Sequence, residues 1–387
     1  MENENYDPLA EVEKPPIATD DDPIQVPHEL MEQSKNWEEH IPGKIKIFSM
    51  ADLESLDDDS QSAKSELSNR NRDLNWKLQG MGPHRRFFIL APALKRLEWV
   101  QADMPNFSSV VEEIKGYVAL SRKTVQPLRI PPLLLLGPPG VGKSHFCRRL
   151  ADALGVPHHW QAMDNAQGGE ALAGSETFWS NTQTGLVFRA VAMGNHASPL
   201  ILLDELDKAQ RGGFRGDTLS VLHTLLEPET ARHFKDASYP LPIDASHVIW
   251  VATANQSDGF DSVLLSRFSV HEIEPLTREQ SKMIAERLLT DRLRECELEG
   301  QIYPGQGFLD ALSLLTPRDQ RKGIERALGR AILKDQSNLL VDDLPQQAIT
   351  PTAFGFAPKP KQAHQEKQEQ PECDKKSLEL NRYGIAF

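Results

Sequence analysis

Eight consecutive residues, GPPGVGKS from Gly137 to Ser144, fit the spacing G-x-x-x-x-G-K-[ST] and could bind phosphate. Gly137, Gly140 and Gly142 let the backbone curl so that successive N–H groups point inward at an anion, with Pro138, Pro139 and Val141 filling the loop between them. Lys143 adds a point charge over the β and γ oxygens of a bound triphosphate, and Ser144 is the ligand expected for Mg²⁺. The apolar run Leu133 to Leu136 before the loop reads as a buried strand, and Phe146, Leu150 and Leu154 after it mark a helix. That helix aims its positive N-terminus at the same anion.

Two further sets of residues have types suited to the same chemistry. Leu200-Ile201-Leu202-Leu203-Asp204-Glu205 reads as a buried strand ending in two carboxylates, where ligands of open α/β sheets collect. Asp204 is expected to hold Mg²⁺, and Glu205 to polarise a water. A third strand, 248–254, ends in Asn255, whose amide could orient the attacking water or sense the γ-phosphate. Arg267 follows Leu264-Leu265-Ser266; on a neighbouring subunit, its guanidinium would neutralise charge developing on the transferred phosphoryl group. Thr316-Pro317-Arg318 reads as an N-cap, a first-turn proline and an arginine able to reach over the nucleotide, with Arg321 and Lys322 as alternatives on the same helix.

The elements that position these groups follow from periodicity. Phe107, Val110, Val111, Ile114 and Val118 predict an amphipathic helix from 106 to roughly 121. Strands alternating with helical patterns imply an α/β layer with a mainly parallel sheet. After Pro275 the strand signals stop. Thr277 with Gln280 is a capping-box start, and helical patterns continue over 308–315 and 319–333.

The organisation expected is an acidic, mostly disordered segment over 1–80 and a helical lead-in over 81–128. A large α/β domain over 129–274, a small helical lid over 275–340 and a polar tail over 341–387 follow. Residues 1–80 hold 8 Lys and Arg against 19 Asp and Glu, and so account for most of the net charge of −13. Such a segment buries too little apolar surface to order itself. An island at 41–50, IPGKIKIFSM, alternates apolar and polar residues as a strand or docking peptide would, but is taken as flexible.

The acidic balance disfavours nucleic-acid binding. No stretch approaches the roughly 18 apolar residues of a membrane span, and no leader pattern opens the chain, so a cytoplasmic protein is expected. Cys147, Cys296 and Cys373 lack metal-ligand spacing and read as reduced thiols. His158-His159-Trp160 has no carboxylate or cysteine at ligand spacing and reads as core edge. The terminal Tyr383 to Phe387 motif could dock on a companion protein, with a frayed end as the plainer reading.

In this order, the motifs resemble the AAA+ ATPases, and the phrases LILLDELDKA, FRGDTLSVLHTLLEPE and DASHVIWVATAN resemble the ATPase module of Lon-type proteases over about 106–333. The resemblance implies a P-loop AAA+ fold with a helical lid, ATP and Mg²⁺ as cofactors, and a homo-oligomeric ring, usually a hexamer, that threads a protein client. It also implies an aromatic pore loop between the phosphate loop and the acid pair. Trp179 in GSETFWSNTQTG takes the aromatic position, with Phe178 the more readily buried neighbour. A flat ring can grip an extended polypeptide whatever its sequence. The 47 largely polar residues after Leu340 are too few for the family's peptidase domain, so an ATPase served by a separate partner is expected. An ATP-gated switch that only recruits partners is the alternative, although a pure switch does not need Glu205, Asn255 and Arg267.

Overall fold

The computed structural model describes residues 41, 43–61, 66–164, 168–175, 183–209, 219–258 and 260–344. Its first elements correct the expectation of a mostly disordered 1–80 for the described residues after 40; residues 1–40 lie outside the described residues. β1 (Lys44–Lys46) pairs antiparallel with β2 (His84–Arg86), and α1 (Met50–Gln61) and α2 (Glu66–Met81) lie between them in sequence. Ile47, Phe48, Leu53, Leu74 and Leu78 are buried in the main core. Acidic composition is an average over the segment, whereas burial is decided by a few apolar side chains that find a tertiary partner. Here the partner is the body of the chain: Asp244 N–H donates to the Ile47 carbonyl at 2.7 Å, and Arg70 Nη2 donates to the Ser238 carbonyl at 2.8 Å.

α3 (Ala93–Asp103) and α4 (Ser108–Thr124) follow. α4 buries Val110, Val111, Ile114 and Val118, as its period requires. Next come β3 (Leu133–Leu136), α5 (Lys143–Leu154), β4 (His158–Ala162), α6 (Gly168–Ala173), α7 (Leu186–Val191) and β5 (Leu200–Asp204). α8 (Ser220–Leu225), α9 (Pro228–Ala231), the antiparallel hairpin of β6 (Phe234–Asp236) and β7 (Tyr239–Ile243), β8 (Ile249–Ala254), α10 (Ser262–Leu265) and β9 (Ser269–Glu272) complete the α/β part.

Five of these strands form one parallel sheet in the order β4-β5-β8-β3-β9. Side-chain alternation divides the core between its two faces. Leu134, Leu136, Ile201 and Leu203 join one cluster with the N-terminal helices, and Leu133, Leu135, Leu200 and Leu202 join the other with α3, α4 and α5. Phe107 stacks on Phe146 with centroids 4.3 Å apart, fixing the start of α4 on α5.

The lid consists of α11 (Arg278–Glu295), β10 (Tyr303–Pro304), α12 (Phe308–Leu312), α13 (Pro317–Leu333) and β11 (Asn338–Leu339) around its own apolar cluster. The capping box of Thr277 and Gln280 is formed, and Thr316 caps α13 through the Asp319 N–H. The short parallel pair β10–β11 breaks the expectation that strands end at Pro275.

One buried histidine makes stability pH-dependent. His196 Nδ1 accepts from the Ser198 N–H at 3.0 Å, so Nε2 carries the proton and donates to the Phe88 carbonyl at 3.2 Å. Burial pushes its pKa down to about 4. Protonation is therefore easier in the unfolded chain; the neutral ring's contribution is complete above about pH 6.5 and is lost as pH falls to 4, worth roughly 3 kcal/mol. His196→Gln is expected to flatten this acid limb, read from urea midpoints at pH 4 to 7.

Candidate functional site

β3, β8 and β5 are neighbours, so the three strand ends that carry the predicted residues open side by side at one edge of the sheet. The loop after β3 turns into α5 through Gly140 and Gly142, at φ of +87° and +101°, where side chains other than glycine's are strained. Gly140 also abuts the lid, since a Cβ there would meet Thr316 Cγ2 at 3.3 Å. A cleft of about 520 Å³ lies between loop, strand ends and lid.

Lys143 is buried, and its Nζ donates to the Gly137 carbonyl at 2.6 Å, the Pro138 carbonyl at 3.2 Å and Asn255 Oδ1 at 3.1 Å. Burial lowers its pKa, and Asp207, Asp204 and Glu205 oppose that fall. Ser144 Oγ donates to Asp204 Oδ1 at 2.9 Å, bringing the two expected Mg²⁺ ligands together. Their oxygens are the hard donors that suit this ion.

Glu205 stands in the left-handed region at φ +57° and ψ +47°, costly for a non-glycine residue. Its N–H donates to Thr253 Oγ1 at 3.1 Å, and the Thr253 hydroxyl donates in turn to Asp204 Oδ1 at 2.5 Å. One buried hydroxyl on β8 thus holds both the Asp204 carboxylate at the end of β5 and the backbone of Glu205 that follows it. The Glu205 carboxylate pairs with Lys208 at 2.7 Å. Asn255 N–H donates to Asp207 Oδ2 at 3.1 Å.

Thr253, Lys208 and Asp207 were not singled out by sequence. A threonine inside an apolar run reads as a strand former; only its place one residue before the strand's last, opposite two acids, could have marked it. Thr253→Val keeps the shape but leaves the Glu205 N–H without its acceptor. It is expected to cost about 1–3 kcal/mol of stability and to slow turnover about tenfold, with nucleotide affinity in EDTA unchanged. Urea unfolding, steady-state phosphate release and nucleotide titration check the three parts.

Arg318 and Arg321 both line the cleft from the lid, whereas Lys322 pairs with Asp319 at 3.2 Å. Asp103 joins the lid to the body, with Arg149 at 2.7 Å and Arg287 of α11 on its other oxygen. Met104, Leu276, Ile284 and Leu288 supply apolar wall. Arg267 lies apart from this cleft, donating to the His223 carbonyl at 2.8 Å with Glu227 3.8 Å away.

Phe178 and Trp179 lie outside the described residues, as does the 383–387 motif. The stem of the aromatic segment is described. Buried Asp236 accepts from the Gly185 N–H at 2.7 Å and from Ser238, and it fills the space that a Cβ at Gly174 would need. Among the described residues no cluster of His, Cys, Asp and Glu could hold a further metal, and no helix is long and apolar enough to cross a membrane.

A parallel sheet feeding a glycine loop, an acid pair on the next strand but one and a helical lid over the cleft define a P-loop ATPase. Residues 133–276 match the AAA family, described as the ATPase family associated with various cellular activities. The chain is 32% identical over 235 residues to Lon protease of Chloroflexus aggregans, covering 60% of this chain and 28% of that protein. It is 29% identical over 324 residues to the mitochondrial Lon protease homolog of Eremothecium gossypii, covering 81% of this chain and 30% of that one. It therefore spans under a third of the length of these relatives. A cryo-EM reconstruction of closed-state Hsp104 with ATPγS and FITC-casein shares the fold at a TM-score of 0.50 and 18% identity, covering 64% of this chain and 49% of that chain. Residues 133–276 thus match an AAA-family ATPase domain, and the chain is similar in sequence to Lon proteases.

Proposed function

We propose that the chain hydrolyses ATP and uses the cycle to remodel protein clients, threading them through a homo-oligomeric ring, a hexamer by analogy. The observation that carries this is the convergence of Lys143, Ser144, Asp204, Glu205 and Asn255 on one cleft closed by the lid. In this reading Lys143 and the loop N–H groups hold the β and γ phosphates, and Ser144 and Asp204 hold Mg²⁺. The bound ion supplies neutralisation of charge on the phosphoryl oxygens. Glu205 takes the proton of the attacking water, which Asn255 orients. Arg318 or Arg321 reports the nucleotide to the lid. Arg267 acts on the site of a neighbouring copy, consistent with its place outside its own cleft.

Client handling is assigned to Trp179 and Phe178 through the Lon-like resemblance. Trp179→Ala is expected to keep ATP turnover while losing the unfolding of a fluorescent protein with an unstructured tail. Equal unfolding by both proteins would remove the threading part. A protein that stays a lone subunit and releases no phosphate in ATP, with or without that client, would remove the rest.

A further inference from the structure

Asp204 is held by three donors from three elements. Ser144 of α5 and Thr253 of β8 both donate to Oδ1, at 2.9 and 2.5 Å, and the Trp160 indole N–H of β4 donates to Oδ2 at 3.1 Å. Among the described residues Trp160 is the only donor to Oδ2. β4 is one of the two outer strands of the sheet, and Trp160 stands opposite Leu202 in its register with β5, two residues short of Asp204. The indole is 57% exposed, so packing alone does not account for a ring of this size there.

We propose that Trp160 is a positioning residue for the metal-holding carboxylate: its N–H fixes the plane of Asp204 and thereby the affinity for Mg²⁺ beside the nucleotide. This rests on the reading of Ser144 and Asp204 as the Mg²⁺ pair. The chemistry of the three donors separates their roles. A serine hydroxyl can turn its lone pairs to a cation, and once it does so its proton is free to leave Asp204. The indole nitrogen has a proton and no available lone pair, so it addresses the carboxylate and never the ion. When Ser144 turns to the metal, Thr253 on one oxygen and Trp160 on the other remain to stop the carboxylate rotating. Groups that orient a ligand in this way change metal affinity about 10- to 100-fold when removed, and the indole's exposure puts Trp160 at the lower end.

The experiment is equilibrium binding of AMP-PNP to the full chain, titrated with Mg²⁺ and repeated in EDTA. Trp160→Phe keeps an aromatic ring on the strand and removes the donor. It is expected to raise the Mg²⁺ midpoint about tenfold, with EDTA affinity unchanged, which also shows that the variant folds. In the wild type and in Trp76→Phe, which alters an exposed indole on α2, Mg²⁺ should shift the tryptophan emission of the AMP-PNP complex. Trp160→Phe should lose that shift. An unmoved Mg²⁺ midpoint, or equal loss of affinity with and without Mg²⁺, overturns the proposal. A wild type that binds no AMP-PNP in either condition overturns the underlying reading of the site instead.

Discussion

Glu205→Gln is expected to bind ATP about as tightly as the wild type and to release phosphate about 10³-fold more slowly. Binding survives because the groups that hold the phosphates are elsewhere: Lys143 and the loop amides reach the cleft from β3 and α5, and Ser144 and Asp204 form their own hydrogen-bonded pair. Turnover falls because an amide cannot take the proton of the attacking water. The backbone at this position makes the substitution informative. Glu205 is held at φ +57° with its N–H on Thr253, so Gln at the same place inherits the same main-chain position and changes only the acid. The Lys208 ion pair is lost in the variant, but both partners are about half exposed, and such a pair contributes about 0–1 kcal/mol. Stability should therefore match the wild type in urea while phosphate release collapses. Hydrolysis within tenfold of wild type would assign the base elsewhere. With ATP present, the same variant is the one to use for affinity capture of the client in a stalled complex.

Much of the site was legible because its residues are bound to local patterns. A glycine loop must follow a strand and open a helix, and an acid pair must end a buried run, so Gly137 to Ser144, Asp204 and Glu205 could be placed before their geometry was known. The capping signals at Thr277 and Thr316 located the lid helices for the same reason: each is satisfied within one turn. Residues whose role depends on contacts across the sheet were not legible. Thr253 matters because β8 lies between β5 and β3, and Trp160 because β4 flanks β5, and neither adjacency is written in the residues themselves. Arg318 stood first from its place after Thr316 and Pro317, but Arg321 could be separated from Lys322 only once α13 had a face turned to the cleft. The acidic N-terminal stretch misled because the composition of 80 residues outweighed five apolar side chains spread over 47–78.

Those five residues predict a large effect of truncation. A chain beginning at Gly82 is expected to lose cooperative folding, whereas a disordered leader could be removed without consequence. The cut takes away β1, the partner of β2, and strips Ile47, Phe48, Leu53, Leu74 and Leu78 from the cluster that also contains Leu134, Ile201 and Leu203 of the central sheet. Each such side chain contributes about 1.5–3 kcal/mol when fully buried, while a whole domain is stable by only about 5–15 kcal/mol. The cut also removes Arg70 from the Ser238 carbonyl, beside the Asp236 carboxylate that holds the Gly185 N–H. Damage to the body would therefore reach the stem of the Phe178–Trp179 segment as well as the face of the sheet. Within the full chain, Leu78→Ala should cost about 2–5 kcal/mol, read from urea midpoints, because Leu78 is wholly buried. Trp76→Ala, two residues away on the opposite side of α2 and 76% exposed, should cost little. Equal, small losses at both positions, together with a truncated chain that unfolds cooperatively at the wild-type midpoint, would show that α2 adds nothing to the fold.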